Sequence, residues 1–355
     1  MSVTIRDVAA YADVSVATVS RLLNGSKAVR TETAERIHQA IEILGFRPNI
    51  VGRSLKTSRT MMLGVVIPSL ANPVFADTVS GIETETRQEG YTLLFGVSGY
   101  DADDEIRAVE ALLRYRVDGL VLTVVNPERN AALDLLDASG VPYALVYNQP
   151  SRPGTTTVTV DNETAGRMVA ESFASFGHHR LAMISGRFSA SDRASARRDG
   201  FLAGARARGL ADPVVLEVDF DSHDLEGALA SLFAPEAGAP SAVFCSNDML
   251  AISVIGGLGR LGLRVPEDVS VFGFDGIAVG AHMHPTLATV VQPSREMGRE
   301  AARQLVGRLN GGLPAGPVIL PYTLRSGETV GNACQPSPTV SRAPDHSVQQ
   351  GKHAP

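Results

Sequence analysis

The sequence predicts an all-α helix-turn-helix headpiece joined to a two-lobed α/β body whose core is a pair of parallel, doubly wound sheets. Three observations carry this. The chain has 355 residues, beyond the size at which a single hydrophobic core keeps growing. Its texture changes at Met61, from short helical stretches with tight joints to apolar runs alternating with amphipathic helical patterns. Those runs are rich in Val, Leu and Ile without polar alternation, and most are followed by a helix, which indicates strands buried on both faces of parallel sheets. They are too numerous for one such sheet, so two similar lobes are expected, with a ligand cleft at the carboxyl ends of the strands.

Taking the elements in order, Thr4 followed by Asp7 has the form of a capping box and opens a helix through about Tyr11. Ser15 suits the N-cap of a second helix running to about Asn24, which Gly25 stops. Thr31 caps a third, whose apolar positions Ala34, Ile37, Ile41 and Leu44 recur at three- and four-residue spacing before Gly45 ends it. Pro48 stands where another helix can begin, Ile50 to Lys56 fits about two turns, and Thr57 to Thr60 reads as a linker. Strands are expected at Leu63 to Ile67, Thr92 to Gly96, Gly119 to Thr123, Tyr143 to Val146, Thr157 to Val160, Leu181 to Ser185, Val214 to Val218, Ala242 to Cys245 and Val269 to Phe274. From Cys334 onward the chain is polar, rich in proline and without periodicity, and is expected to be disordered. The resulting division is a headpiece at 1–46, a hinge helix and linker at 47–60, a body at 61–333 and a tail at 334–355. Within the body, one lobe takes about 61–160 and 292–319, and the other about 161–291 and 320–333.

Composition narrows the function. Hydrophobic residues are 44% of the chain and charged ones 20%, and no segment reaches the roughly 18 uninterrupted apolar residues of a membrane span. The first twelve residues lack the apolar core of a secretory signal, which points to the cytoplasm. Cys245 and Cys334 are the only cysteines, so a disulfide framework or thiolate zinc site is not expected. The net charge of −6 is unevenly spread: residues 1–60 hold nine Lys or Arg against five Asp or Glu, a net of +4, leaving −10 for the rest. A basic head on an acidic body suggests one surface aimed at phosphates.

The headpiece pattern fits DNA reading, with Val8, Ala9, Val14, Val19, Leu22 and Leu23 as its interior and Ala12 to Ser15 as the turn. The run Val3-Thr4-Ile5-Arg6-Asp7-Val8-Ala9, then Val14-Ser15, Thr18-Val19-Ser20-Arg21 and Leu23-Asn24-Gly25 resembles the headpiece of the lactose-repressor and galactose-repressor (LacI/GalR) family. The resemblance implies that Val16, Ala17 and Arg21 face bases, that Ser15, Thr18, Ser20 and Asn24 lie at the phosphate backbone, and that Thr4 also contacts DNA. Arg21 can fork onto a guanine and Ala17 can pack on a thymine methyl group, although a plain phosphate contact by Arg21 is also compatible with the pattern. Asp13 stands where the family often has Gly; Asp tolerates the left-handed backbone such a turn requires. The segment from Arg47 to Lys56 resembles the family's hinge helix, which implies DNA contacts by Asn49 and Arg53 and a minor-groove wedge at Leu55, although Leu55 is also compatible with an ordinary linker residue packed on the core. Gly52 replaces the usual Ala and disfavours helix by about 1 kcal/mol, so a hinge that folds only on DNA is expected.

The body, from Leu63 to about Val330, resembles the family's periplasmic-binding-protein-like core. The motifs are Ile67-Pro68 with Asn72-Pro73-Val74-Phe75, Arg116-Val117-Asp118-Gly119, Val160-Asp161-Asn162, Gly200-Phe201, Asn247-Asp248, and Val265-Pro266-Glu267-Asp268 leading to Gly273-Phe274-Asp275. By that resemblance Asn72, Phe75, Asp161, Arg193, Arg197, Phe220, Asn247 and Asp275 are the effector-binding candidates. Amides, carboxylates, a forking Arg and an aromatic face are the chemistry a polyol needs, while Asp161 is equally suited to cap a helix and Phe220 to fill a core. Arg187, Arg193 and Arg197 fall within or beside one loop, which raises a ligand bearing a carboxylate or phosphate, such as a sugar acid. No catalytic triad is recognisable, His282 and His284 lack a third metal ligand nearby, and no cofactor is expected. The reading is a repressor acting as a homodimer on a pseudo-palindromic double-stranded DNA operator, with a sugar or sugar derivative as the favoured effector, a purine as the alternative, and no membrane partner. A transporter's solute-binding protein shares the body but not the basic headpiece, and an enzyme of sugars or nucleosides would turn its ligand over.

Overall fold

The structure is a computed structural model that describes residues 3–23, 29–46, 59–220, 225–234 and 238–333. The expected hinge and tail, with Asn24, Asn49, Gly52, Arg53 and Leu55, lie outside the described residues.

Three helices, α1 (Ile5–Tyr11), α2 (Val16–Leu23) and α3 (Thr31–Leu44), form the amino-terminal unit around one core of Val8, Ala9, Ala12, Val19, Ile37, Ala40 and Phe46. At the start of α1 the Asp7 carboxylate accepts from the backbone N–H and the hydroxyl of Thr4, both at 2.8 Å. Gly45 ends α3 in the left-handed conformation at φ 62°. Thr31 is the first residue of α3 rather than its cap; Arg30 occupies the cap position, and no side chain caps that end.

The body holds two six-stranded sheets. In the first, β1 (Met62–Ile67), β2 (Thr92–Val97), β3 (Gly119–Leu122), β4 (Tyr143–Val146), β5 (Thr156–Thr159) and β11 (Val318–Ile319) run parallel in the order β11-β5-β4-β3-β1-β2. In the second, β6 (Leu181–Gly186), β7 (Val214–Val218), β8 (Ala242–Cys245), β9 (Ser270–Asp275), β10 (Ala288–Val291) and β12 (Thr323–Arg325) take the order β12-β10-β9-β8-β6-β7. This second sheet departs from the all-parallel expectation, because β12 pairs with β10 antiparallel.

The helices of the first lobe are α4 (Pro73–Gln88), α5 (Ala102–Arg114) and α6 (Ala131–Ser139). Those of the second are α7 (Asn162–Ser175), α8 (Asp192–Ala207), α9 (Glu226–Leu232), α10 (Asp248–Arg260) and the short α11 (Ala278–His282). A last long helix, α12 (Ser294–Leu309), follows β10 of the second sheet but packs on α4 and on β3, β4 and β5 of the first. The polypeptide thus passes between the sheets after β5, after β10 and between β11 and β12. α4 and α12 meet backbone to backbone: a Cβ on Gly81 would overlap the Arg295 carbonyl, and one on Gly298 the Thr78 carbonyl. Only glycine permits that approach. Among the described residues no helix is long and apolar enough to cross a membrane.

Candidate functional site

The carboxyl ends of the strands bring residues of both lobes to one cavity. Asn72, Phe75, Tyr100 and Tyr147 line it from the first lobe; Arg193, Arg197, Phe220, Asn247 and Asp275 line it from the second, with Gln292 at a crossing. Its empty space is about 330 Å³.

Asp275 is the hub. It ends β9 with φ 121°, a region that side chains rarely occupy and that strains the backbone. Its carboxylate accepts from Gln292 Nε2 at 2.8 Å and from Asn72 Nδ2 at 3.3 Å, so it bonds across the interlobe gap. Arg197 Nη1 lies 3.8 Å away. Burial pushes the Asp275 carboxyl above its ordinary range, and Arg197 draws it partly back. The Arg197 guanidinium donates to the Ser246 carbonyl at 2.6 Å and to Asn162 Oδ1 at 2.8 Å, with its Cζ 3.4 Å from the Phe274 ring centroid. Burial pulls it down to about 10. Behind Asp275, Asp248 accepts from the backbone N–H groups of Gly276 and Ile277, both at 2.8 Å, and from the Thr289 hydroxyl at 2.5 Å. It fixes the turn that leaves β9, and its own burial raises it to about 7.

Two polar atoms in this wall are buried without a hydrogen bond, Nη1 of Arg193, whose nearest charge is the Asp192 carboxylate at 3.8 Å, and Oε1 of Gln292. Buried polar groups are normally paired, so a donor and an acceptor held open at one cavity mark where a ligand would supply the counterparts. Beside them Asp192, on the second lobe, accepts from Asn148 Nδ2 at 3.0 Å and the Gln149 N–H at 2.6 Å, both on the first.

The headpiece presents a second surface. Ser15 Oγ accepts from the Thr18 N–H at 3.1 Å and contacts the Thr18 hydroxyl at 2.8 Å, capping α2. Beyond that cap, Ser15, Val16, Ala17 and Arg21 are exposed on one side of α2, while Val19 is fully buried and Thr18 and Ser20 half-buried. Asp13 adopts φ 51° in the preceding turn. Arg36 from α3 donates to the Ala12 carbonyl and, at 3.2 Å, to that of Asp13, fixing the angle at which α2 leaves α1.

Residues 4–49 match the model of the bacterial regulatory proteins of the lacI family, and residues 170–330 match that of a periplasmic binding protein-like domain. The HTH-type transcriptional repressor PurR of Aliivibrio salmonicida is 31% identical over 310 residues, covering 86% of this chain and 92% of that protein. Catabolite control protein A of Priestia megaterium is 32% identical over 312 residues, covering 87% and 93%. The chain belongs to the LacI family. Among solved structures, the lac repressor dimer bound to operator and the anti-inducer ONPF matches with a TM-score of 0.83 at 26% identity, over 93% of this chain and all of that one. The complex of the regulator CelR with cellobiose matches with a TM-score of 0.67 at 29% identity, over 92% and 99%. This LacI-family chain is a DNA-binding transcriptional regulator and not an enzyme.

Within this LacI-family fold, seven of the eight effector candidates line the cavity: Asn72, Phe75, Arg193, Arg197, Phe220, Asn247 and Asp275. Asp161 does not. It is exposed and caps α7, accepting from the Thr164 N–H at 2.9 Å, because the backbone turns there so that its neighbour Asn162 points inward to Arg197. Arg187 is also drawn away, exposed and paired with Asp219 at 2.6 Å. Tyr100, Tyr147 and Gln292 escaped the sequence reading. Tyr147 directly follows a predicted strand, and that position was the available signal.

Proposed function

We propose that this LacI-family regulator is an allosteric repressor that binds a pseudo-palindromic operator as a homodimer and takes a sugar or sugar acid in the interlobe cavity. The observation that carries the effector reading is the wall of Asp275 and Arg197 flanked by a donor on Arg193 and an acceptor on Gln292 that make no hydrogen bond, a set that suits vicinal hydroxyls or a carboxylate beside a hydroxyl. In this reading Val16, Ala17 and Arg21 read bases, Ser15, Thr18, Ser20 and Asn24 hold phosphates, and Thr4 also contacts DNA. Asn49, Arg53 and Leu55 act from the hinge, between a headpiece at 1–46 and a body at 61–333.

Dimerisation is supported by edge strand β2, where Phe95 and Val97, two residues apart and so on one face, remain 52% and 44% exposed. The related solved structures include a dimer on operator DNA and a complex with cellobiose, which makes both partners reasonable for this protein. The test is fluorescence anisotropy on DNA from upstream of its own and neighbouring genes, against scrambled DNA at fixed salt, with and without a panel of neutral sugars and sugar acids. Tight binding to a palindrome that one compound shifts is the expected outcome. Binding no better than to scrambled DNA would refute the repressor reading, and a palindrome that no panel member shifts would refute the sugar effector.

A further inference from the structure

Phe220 follows β7 in the second lobe, and Tyr100 follows β2 in the first. Their rings are stacked across the cavity, with centroids 4.1 Å apart and planes 9° from parallel. The other face of Phe220 is covered as well. A Cβ built on Gly186, the last residue of β6, would fall inside van der Waals contact with ring carbons Cδ1, Cε1 and Cζ at nearly equal distances, which only a position above the ring plane gives. Phe220 is therefore held between the backbone of β6 and the phenol of Tyr100.

The two covers differ in how they are built. Gly186 is paired with Val218 in the sheet, whereas Tyr100 stands on a turn in which Gly99 and Tyr100 have φ of 58° and 60°. With both faces covered, Phe220 offers no open face to a ligand. A ring that enters must take the Phe220 face from Tyr100.

We propose that Tyr100 is a resident plug and a specificity-determining residue, whose ring occupies the Phe220 face until the flat or apolar face of a cyclic effector displaces it. The proposal rests on the effector reading of the cavity and goes beyond it by naming the exchange that selects the ligand. Cyclic sugars and planar heterocycles replace one ring face by another, whereas an acyclic polyol of similar hydroxyl content offers no such face and is disfavoured. The plug also competes with the effector, so its removal strengthens binding.

The test is isothermal titration of the full-length protein with D-glucose, D-ribose, D-glucuronate, hypoxanthine and the acyclic polyol D-sorbitol, using wild type, Tyr100→Ala, Tyr100→Phe and Phe220→Ala. The cyclic compound that binds wild type should bind Tyr100→Ala about 2- to 10-fold more tightly, the range expected from losing one competing aromatic pair. Tyr100→Phe keeps the stack and should stay closer to wild type than Tyr100→Ala does, while Phe220→Ala weakens binding. Tyr100→Leu, which abolishes the planar stack but keeps bulk, serves if the alanine variant misfolds. A compound that binds wild type with affinity unchanged or weaker in Tyr100→Ala overturns the plug and leaves the effector reading standing, and D-sorbitol as the best ligand overturns the selection for a ring. Absence of binding to every variant overturns both.

Discussion

Replacing Asp275 separates the ionic contribution of the cavity from its backbone strain. In Asp275→Ala the donors Asn72 Nδ2 and Gln292 Nε2 lose their acceptor, and Arg197 loses the carboxylate 3.8 Å from its Nη1. Stranding one member of a buried pair costs about 3–5 kcal/mol. Arg197 keeps the Ser246 carbonyl, Asn162 Oδ1 and the Phe274 ring, and burial of the Asp275 carboxylate already opposes its charge. The lower end applies, a loss of about 3 kcal/mol. Asp275→Gly deletes the same carboxylate but is at ease at φ 121°. Strain of about 1–3 kcal/mol is relieved, against about 0.5–1 kcal/mol for the greater freedom of glycine in the unfolded state. The glycine variant should therefore be about 1 kcal/mol more stable than the alanine variant, read as a higher urea midpoint at equal slope. Equal midpoints for the two variants, or an alanine variant as stable as wild type, would show that neither strain nor pairing at Asp275 has been read correctly.

Gly298→Ala should destabilise the body by about 1–3 kcal/mol or more, seen in urea unfolding, because its Cβ would overlap the Thr78 carbonyl of α4. Glu105, on α5 and buried, accepts from the Val125 N–H at 2.6 Å and Asn130 Nδ2 at 2.7 Å, and burial raises it from an ordinary 4.5 to about 7. The folded state thus binds a proton more tightly than the unfolded one, so the stability contributed by the protonated carboxyl is present below about pH 4.5 and lost as pH rises to about 7. Glu105→Gln should flatten that decline by at most about 3 kcal/mol in stability measured against pH, and an unaltered slope would contradict it. Arg21→Ala, an exposed change outside the headpiece core, should leave the melting temperature within about 1 °C. It should weaken operator binding by about 1–3 kcal/mol and relax selectivity at one base pair, measured by anisotropy on single-base variants.

The nine expected strands all form; most are unalternating Val, Leu and Ile runs buried on both faces, legible without tertiary context, while the edge strands β2 and β7 stay partly exposed. β11 and β12 were not legible. They have two and three residues, and their side chains, such as Ile319 and Leu324, stay largely exposed; they exist only because neighbouring strands offer an edge. β10 (Ala288–Val291) was within reach as an apolar run but is short and follows a loop containing Pro285. Asp13 in the left-handed region was foreseeable from the Gly the family often has there together with the tolerance of Asp for that conformation. In the cavity, motif resemblance found the charged members but could not assign facing within Val160-Asp161-Asn162, since one residue of backbone rotation sets which side group caps and which reaches Arg197. Glu105 was invisible for a similar reason: beside Asp103 and Asp104 in the first turn of α5 it has the look of a solvated helix start, and only the fold puts it inside. Tyr100 has no sequence signal, because its role depends on a ring contributed by the other lobe.

The central claim is that the cavity controls the headpiece, and its most direct test is operator affinity with and without a saturating effector, measured side by side for wild type and Asp275→Ala. The account predicts a shift of about 5- to 150-fold in wild type and none in the variant, with the variant's ligand-free affinity close to wild type. An equal shift in both proteins would place the effector elsewhere, and no shift in either for a ligand that demonstrably binds would contradict the coupling itself.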